Sequence, residues 1–364
     1  MTIYLIAFFA VFMLGSFGLP SVLSSMKGDD LSRNVTSAIN GLFISIVFLS
    51  HLRSYIPEAS FAATDGTALL VMTFLGQLIV ATFLFFSGFG AMQSIKKRGF
   101  SYVWSFPAHR ILSFLLDVWL ALGMYMLVRI VMGWKLPSVP SFLLAMVGWN
   151  SIGNSNWYIF AILMSWVFTY VAFRLFPREG QRWMAISAVI LLMLGYIYVL
   201  RAEEMPARFY NTILCYPAGM VLSLCIDALG DVLGRVRHPR LTWVAGFGGA
   251  LLLFLLVYYC GPKGAVFYNL RAISFALLVA VVSYATTSVS VPFLWAGNNL
   301  FYLYIYQRIP MILLRPLANR STLLYTTACL VAAILLCAAM SRLHVLWRRF
   351  WLEKPSNPQL DAHA

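Results

Sequence analysis

A single histidine lies near the end of the apolar stretch at residues 39–55, which reads INGLFISIVFLSHLRSY. If this stretch crosses a membrane as a helix, His51 lies roughly 22 Å along it, in the outer third of a bilayer about 30 Å thick. An ionisable side chain at that depth usually faces a bundle interior or a wet cavity. His51 is therefore a candidate for proton chemistry, since imidazole titrates near neutral pH. The alternative is an interfacial histidine that reaches the bilayer surface beside Arg53.

A basic loop follows a second apolar stretch, in residues 83–111, FLFFSGFGAMQSIKKRGFSYVWSFPAHRI. Its basic residues are Lys96, Lys97, Arg98, His109 and Arg110, and it contains no acid. Arg and Lys side chains pair with phosphate oxygens, so this loop is a candidate site for a phosphate-bearing cofactor. For Lys96 to Arg98 the alternative is that these charges only orient the chain in the membrane.

An acidic residue lies inside the next apolar segment. Asp117 follows Arg110 by seven residues, on about the same helix face. A carboxylate within the membrane needs a partner. We expect Asp117 to pair with Arg110 or with Arg129.

Two further stretches place Asn and Gly before aromatic residues at a segment boundary: GNSNWYIFAILMSW at 153–166 and GNNLFYLYIYQRIP at 297–310. Each stretch alone is typical of the aromatic belt at a membrane interface.

The elements that position these residues are predicted to be membrane-crossing helices. Of the 364 residues, 61% are hydrophobic and only 10% are charged, with a mean hydropathy of +0.83, which excludes an ordinary soluble domain. We expect an all-α integral membrane protein with about eleven helices, because an isolated segment in lipid must satisfy its own backbone hydrogen bonds. The predicted spans are 3–24, 36–53, 68–94, 111–133, 156–176, 183–200, 208–227, 241–260, 269–287, 291–313 and 322–346. The third is long and the tenth is broken.

The formal net charge of +14 is interpreted as membrane topology and not as nucleic-acid binding, because the basic residues cluster in alternate loops. The positive-inside rule places the N-terminus outside and the C-terminus in the cytoplasm. Three arginines, Arg308, Arg315 and Arg320, then lie outside. They are expected to hold an anionic acceptor, to pair with acids such as Glu203 or Glu204, or to be drawn inward in part by a re-entrant tenth segment.

The chain is expected to be one membrane domain, residues 1–352, followed by a short disordered tail at 353–364. The five cysteines lie in or beside apolar runs without the spacing of a metal site, and no metal is expected.

Taken together, these motifs resemble acyltransferase family 3, membrane-bound O-acyltransferases that modify bacterial surface sugars. That family has a basic residue, ten intervening residues and a histidine in an early span; Gly41 and His51 fit, but Asn40 stands at the basic position. The similarity continues through the Ser87-Gly88-Phe89 triplet, the basic loop up to Arg110, and the Trp157-Tyr158 helix start. Near the end, where the family often has a histidine, this chain has Gln307 and Arg308. The resemblance covers residues 34–347, with the first helix as an addition ahead of a ten-helix core.

The resemblance implies transfer of an acyl group, most often acetyl, from cytoplasmic acyl-CoA to a glycan hydroxyl across a bacterial inner membrane. It implies His51 as general base, with Asn40 or Arg53 orienting it or binding the acyl carbonyl. The implied donor-binding residues are Ser87, Lys96, Lys97, Arg98 and Arg110, and the implied acceptor-binding residues are Trp157, Tyr158, Gln307 and Arg308. The expected partners are membrane lipid, acyl-CoA and a glycan.

Two other functions remain open on the sequence. A transporter or flippase for a lipid-linked sugar would also use interior charges and broken helices. An inactive relative that serves as a partner subunit is favoured by Asn40 and Gln307.

Overall fold

The computed structural model describes residues 1–16, 33–234, 239–284 and 289–352. In these ranges every regular element is helical. The α-helices, in chain order, are α1 (Thr2–Ser16), α2 (Arg33–Arg53), α3 (Gly66–Leu75), α4 (Leu78–Arg98), α5 (Phe100–Trp104), α6 (Ser113–Val131), α7 (Val139–Ala145), α8 (Trp157–Leu175), α9 (Arg182–Ala202), α10 (Cys215–Gly234), α11 (Pro239–Cys260), α12 (Ala265–Tyr284), α13 (Val291–Asn298), α14 (Leu300–Tyr306), α15 (Arg308–Leu313) and α16 (Thr322–Leu352). The tail predicted at 353–364 and the basic residues Lys27, Arg235 and Arg237 lie outside the described residues.

Several of these helices are long and apolar enough to cross a bilayer. In the described part of the chain, eight helical segments qualify: Arg33–Arg53, Leu78–Arg98, Phe106–Val131, Trp157–Leu175, Glu179–Ala202, Leu241–Cys260, Ala265–Ser283 and Thr322–Trp351. The prediction of a helical membrane protein is confirmed at this level.

Burial separates central helices from peripheral ones. In their most apolar windows α2 and α4 are 67% and 78% buried, whereas α11 is 6% buried. Large apolar side chains such as Leu252 and Leu335 are exposed, as expected where the neighbour is lipid. The helix that carries His51 is therefore an interior helix of the bundle.

Glycines allow two pairs of helices to cross in backbone contact. Where α2 crosses α13, a Cβ atom on Gly41 would lie 1.8 Å from the carbonyl oxygen of Phe293, and one on Gly297 would lie 1.7 Å from that of Ser37. Small residues at helix interfaces permit this close approach in membranes. Gly41, one residue after Asn40, is thus required by packing.

The second close crossing joins α4 to α10. A Cβ atom on Gly88 would lie 1.9 Å from the carbonyl oxygen of Tyr216, and one on Gly219 would lie 1.9 Å from that of Phe85. Helix packing therefore explains why position 88 of the Ser87-Gly88-Phe89 triplet is glycine, whether or not the triplet takes part in chemistry.

We expect Gly88→Ala to destabilise the protein by about 1–3 kcal/mol, because the added methyl group overpacks the crossing. Gly90→Ala in the same helix is the matched control: its Cβ would meet nothing within 4 Å, and alanine is the better helix former. Thermal unfolding of the two purified variants in detergent tests this expectation. Equal unfolding temperatures would contradict the close crossing.

Two of the predicted spans are broken within the membrane region. The third span, predicted as 68–94, consists of α3 and α4, separated at Gly76, whose φ is +44°. The tenth, predicted as 291–313, consists of α13, α14 and α15. Broken helices at membrane depth are tolerated where the backbone is covered by protein or lines a cavity.

Candidate functional site

His51 lies in the last turn of α2 and is half-buried. Its Nδ1 atom is 3.0 Å from the amide nitrogen of Gln307, which sits at the joint between α14 and α15 and is only 1% exposed. The same amide nitrogen donates to the carbonyl oxygen of Tyr304 at 3.2 Å. The break in the tenth span thus presents a polar side chain to the imidazole inside the bundle.

A cavity of about 340 Å³ adjoins His51. Its polar lining residues are Ser50, His51, Gln77, Trp157, Arg208 and Tyr268. The break between α3 and α4 forms part of the wall through Gly76 and Gln77. Because Nδ1 contacts Gln307, Nε2 is the imidazole nitrogen left for a molecule in this cavity. Arg208, which the sequence analysis did not single out, lies exposed at the cavity edge.

Arg308 lies beside this site and is not exposed as Arg315 and Arg320 are. Its half-buried guanidinium interacts electrostatically with His51, Tyr125 and Tyr304. Its Nε atom is buried and has no hydrogen-bond partner among the described residues. Arg308 packs inside the bundle, whereas Arg315 is exposed and lines a separate cavity of about 590 Å³.

One aromatic ring contacts the imidazole, and others lie close to it. The Tyr304 ring centroid lies 6.1 Å from that of His51 and 5.2 Å from that of Tyr158. Trp157 lines the cavity itself. The structure thus brings the start of α8 and the joint between α14 and α15 together beside His51.

Asn40 and Arg53 do not join this group. Asn40 precedes His51 by eleven residues in α2, about 16 Å along the helix, and its buried Oδ1 atom has no partner in the described ranges. Arg53 is exposed, and its guanidinium donates to the hydroxyl of Thr73 on α3 at 3.1 Å. Neither side chain is placed to orient the imidazole in this structure.

The basic residues predicted to lie in a loop are helical: Lys96, Lys97 and Arg98 form the last turn of α4. One of these lysines is already paired. The Lys96 ammonium lies 2.6 Å from the Asp227 carboxylate on α10 and donates to the carbonyl oxygen of Ser223 at 2.9 Å. Lys97 is exposed, and Arg98 stacks on the ring of Tyr102. The loop has no acid of its own, but α10 supplies one. Ser87 lies half-buried in α4, about 13 Å from Lys96 along the helix.

Arg110 is held in an aromatic cage. It belongs to a π-helical segment, Phe106–Leu112, that leads into α6, and its Nε atom donates to the hydroxyl of Tyr102 at 2.8 Å. The guanidinium carbon lies 5.6 to 5.8 Å from the ring centroids of Tyr102, Phe106 and Trp166. Such π-helical turns are frequent at functional sites.

The prediction that Asp117 pairs with Arg110 or Arg129 was wrong. Its carboxylate contacts the Nδ1 atom of His344 at 2.9 Å and the Nε atom of Arg348 at 3.4 Å, both on α16. Arg110 is caged as described above. Arg129 donates to backbone carbonyl groups, including that of Ile152 at 3.3 Å. Helix α6 packs on α16 here, so the acid finds its partners on another helix.

His344 extends this network and was missed in the sequence. It is fully buried, and its Nε2 atom lies 2.8 Å from the hydroxyl of Tyr306. Arg348 also donates to the hydroxyl of Tyr302 at 3.0 Å. The only signal in the sequence was a histidine within the last apolar segment. Because Tyr306 directly precedes Gln307, the network borders the partner of His51.

Comparison with protein-family models, with curated proteins and with solved structures finds no match to this chain. Function is therefore inferred from the site and from the sequence motifs.

Proposed function

We propose that this protein is a membrane O-acyltransferase that moves an acyl group from acyl-CoA to a hydroxyl group of a glycan. The observation that carries the proposal is the His51–Gln307 pair: an imidazole on an interior helix, held by a buried amide and bordering a cavity. A titratable group at such a place needs a function, because burial of an ionisable side chain in a membrane bundle is costly.

In the proposed reaction, His51 Nε2 takes the proton of the sugar hydroxyl as its oxygen attacks the thioester carbonyl carbon. This requires a hydrogen on Nδ1, since neutral imidazole carries only one. The carbonyl oxygen of Gln307 is buried without a partner among the described residues. Half a turn of the amide gives up its hydrogen bond to the Tyr304 carbonyl oxygen and brings this oxygen to Nδ1, where it accepts the Nδ1 hydrogen and stabilises the basic tautomer.

This role of Gln307 predicts a difference between two substitutions. Gln307→Glu should keep transfer, because a carboxylate also accepts from Nδ1. Gln307→Met should lower the rate about 10- to 100-fold, the equivalent of one charge-assisted hydrogen bond. The measurement is the rate of CoA release at saturating donor. Equal activity of both variants would remove Gln307 from the mechanism.

The donor is proposed to bind through its phosphates at the cytoplasmic basic loop, with Arg110 as the main residue. The aromatic cage supports this choice, because it holds the guanidinium in one position beside the loop. Lys97 and Arg98 add exposed positive charge there, whereas Lys96 is occupied by Asp227.

Arg110→Gln is expected to raise the KM for acetyl-CoA about tenfold or more and to leave kcat nearly unchanged, since a charged hydrogen bond to a phosphate is lost. Arg178→Gln is the control, because Arg178 is an exposed arginine of another loop assigned to the same side. If both variants change KM equally, the loop acts through net charge and not through a donor site.

The acceptor is proposed to enter the cavity at His51, where Trp157 offers a ring for a sugar face and Arg208 and Arg308 offer positive charge. These two arginines favour an anionic acceptor, such as a uronic-acid polymer or a diphosphate-linked sugar.

The proposal includes the orientation expected from the charges: about eleven membrane passes in a bacterial inner membrane, with the N-terminus outside and the C-terminus in the cytoplasm. The three helices of the tenth segment together count as one pass, and α10 as another. Under this orientation His51 lies toward the outer surface, and the loop before α6 lies at the inner surface.

The broken helices support a second candidate, a transporter or flippase for a lipid-linked sugar. Purified protein separates the candidates when it is incubated with acetyl-CoA and the surface-glycan fraction of the source cells. Release of CoA that depends on the glycan supports the enzyme. Movement of lipid-linked sugar across proteoliposomes without CoA release supports the transporter. An inactive subunit shows neither.

A further inference from the structure

A second cavity, of about 550 Å³, lies between α1 and the core on the other face of α2. Its walls come from α1, α2, α13, α14 and α16, and include Phe8, Phe48, Phe293 and Ala333. Almost all of its lining side chains are apolar. The lining residues Val11, Trp295 and Ile334 are exposed, so the cavity is open at its rim. An apolar space of this kind takes hydrocarbon in preference to water.

The apolar cavity reaches the candidate active site. Gln307 is one of its lining residues, is almost completely buried, and holds His51 with its amide nitrogen while its carbonyl oxygen has no partner in the described part of the chain. His51 follows Ile44 and Phe48, two further lining residues, by seven and three positions in α2. Residues at these spacings share a helix face. The His51–Gln307 pair therefore lies between the apolar cavity and the polar one.

We propose that the apolar cavity binds the hydrocarbon chain of the acyl donor, so that this enzyme transfers acyl groups longer than acetyl. The acceptor hydroxyl comes from the polar cavity on the opposite side of His51. This inference rests on the proposed acyl transfer.

The step balances with these groups alone. The hydroxyl oxygen forms a bond to the thioester carbonyl carbon as its proton passes to His51. The carbon–sulfur bond breaks, the thiolate of CoA leaves, and the imidazolium returns the proton to it. The products are a glycan ester and free CoA.

The size of the cavity favours a chain over an acetyl group. It is several times larger than the roughly 150 Å³ engineered cavity that binds benzene. An acetyl methyl group would leave most of it empty, whereas each methylene group buried there adds to affinity. A charged or sugar-like occupant would lose its hydrogen bonds to water against phenyl and alkyl side chains.

The test compares acetyl-CoA with octanoyl-CoA in nanodiscs that contain the full chain. We expect kcat/KM to be at least about tenfold higher for octanoyl-CoA, because several methylene groups are buried. Ala7→Trp places an indole at the cavity wall from α1, and should lower kcat/KM for octanoyl-CoA while leaving acetyl-CoA nearly unchanged. The matched control is Ala10→Trp: Ala10 is an exposed alanine of the same helix that does not line the cavity.

A second measurement does not depend on turnover. An octanoyl-CoA probe with a photoreactive group at the end of its chain should label lining residues such as Phe8 or Ala333. Labelling should fall in Ala7→Trp and not in Ala10→Trp. Labelling spread over lipid-facing residues such as Leu335, with no effect of Ala7→Trp, would overturn the proposal and indicate that bilayer lipid fills the cavity.

The results separate this inference from the proposed function. If acetyl-CoA is consumed and octanoyl-CoA neither competes nor reacts, the chain pocket is refuted and the transferase remains. If no acyl-CoA of any length binds or is consumed, both proposals fail together.

Discussion

Replacing His51 by alanine is expected to lower the rate of acyl transfer by a factor of about 10² to 10⁴, the usual contribution of a positioned general base. The bundle should still form, because the imidazole is half-buried and borders a cavity instead of filling a packed core. The measurement is glycan-dependent release of CoA by purified variant and wild type at equal concentration.

A second substitution separates chemistry from packing. His51→Gln keeps an amide that can hydrogen-bond to Gln307 but cannot take up a proton at neutral pH. It should be as inactive as His51→Ala and should elute from size exclusion as wild type does. Transfer at the wild-type rate by either variant would remove His51 from the mechanism and leave the imidazole a structural group.

Asp117→Ala is expected to cost about 1–3 kcal/mol of stability, because it leaves the buried Nδ1 atom of His344 without its hydrogen-bond partner. His344 is fully buried, and Arg348 has a side-chain exposure of 34%. The same change frees the ring of His344 that contacts Tyr306. Thermal unfolding in detergent measures the effect.

The control is Glu179→Ala, which removes an exposed acid paired with Arg182 at 3.1 Å in neighbouring turns. The Glu179 side chain is 74% exposed, and ion pairs that water can reach in this way contribute about 0–1 kcal/mol. If Asp117→Ala unfolds at the same temperature as Glu179→Ala, the buried network does not stabilise the bundle.

Helical membrane architecture was predictable from the sequence because it follows from hydropathy and from backbone hydrogen bonding in lipid. The break in the tenth segment was also visible, whereas the third segment was visible only as overlong and its break at Gly76 was not predicted. His51 was a candidate because an ionisable residue in an apolar run is rare. Each of these signals is local in the chain.

The partners of the buried polar groups were not predictable, since they come from distant segments. Gln307 lies 256 positions from His51, and His344 lies 227 positions from Asp117. Helix periodicity compares positions within one helix, so it offered only Arg110 and Arg129 to Asp117. The packing of α6 on α16 instead places His344 and Arg348 beside Asp117.

The partner of Lys96 was also not predictable, because it depends on how α10 packs against α4. The basic stretch at 96–110 has no acid, so its lysines were candidates for pairing with phosphate or for orienting the chain. Gly88 and Gly219 allow α10 to approach α4 closely, and the C-terminal half of α10 then brings Asp227 to within 2.6 Å of the ammonium group. The close crossing of α4 and α10 thus neutralises one positive charge of the basic stretch.

The central claim is acyl transfer at His51, and the most direct measurement follows the acyl group itself. Proteoliposomes are given a series of radiolabelled acyl-CoA donors, from acetyl to palmitoyl, together with the surface-glycan fraction. The account predicts that label appears on the glycan in an alkali-labile ester with wild-type protein and not with His51→Ala. Absence of labelled ester with every donor, or equal labelling by the two proteins, would contradict it.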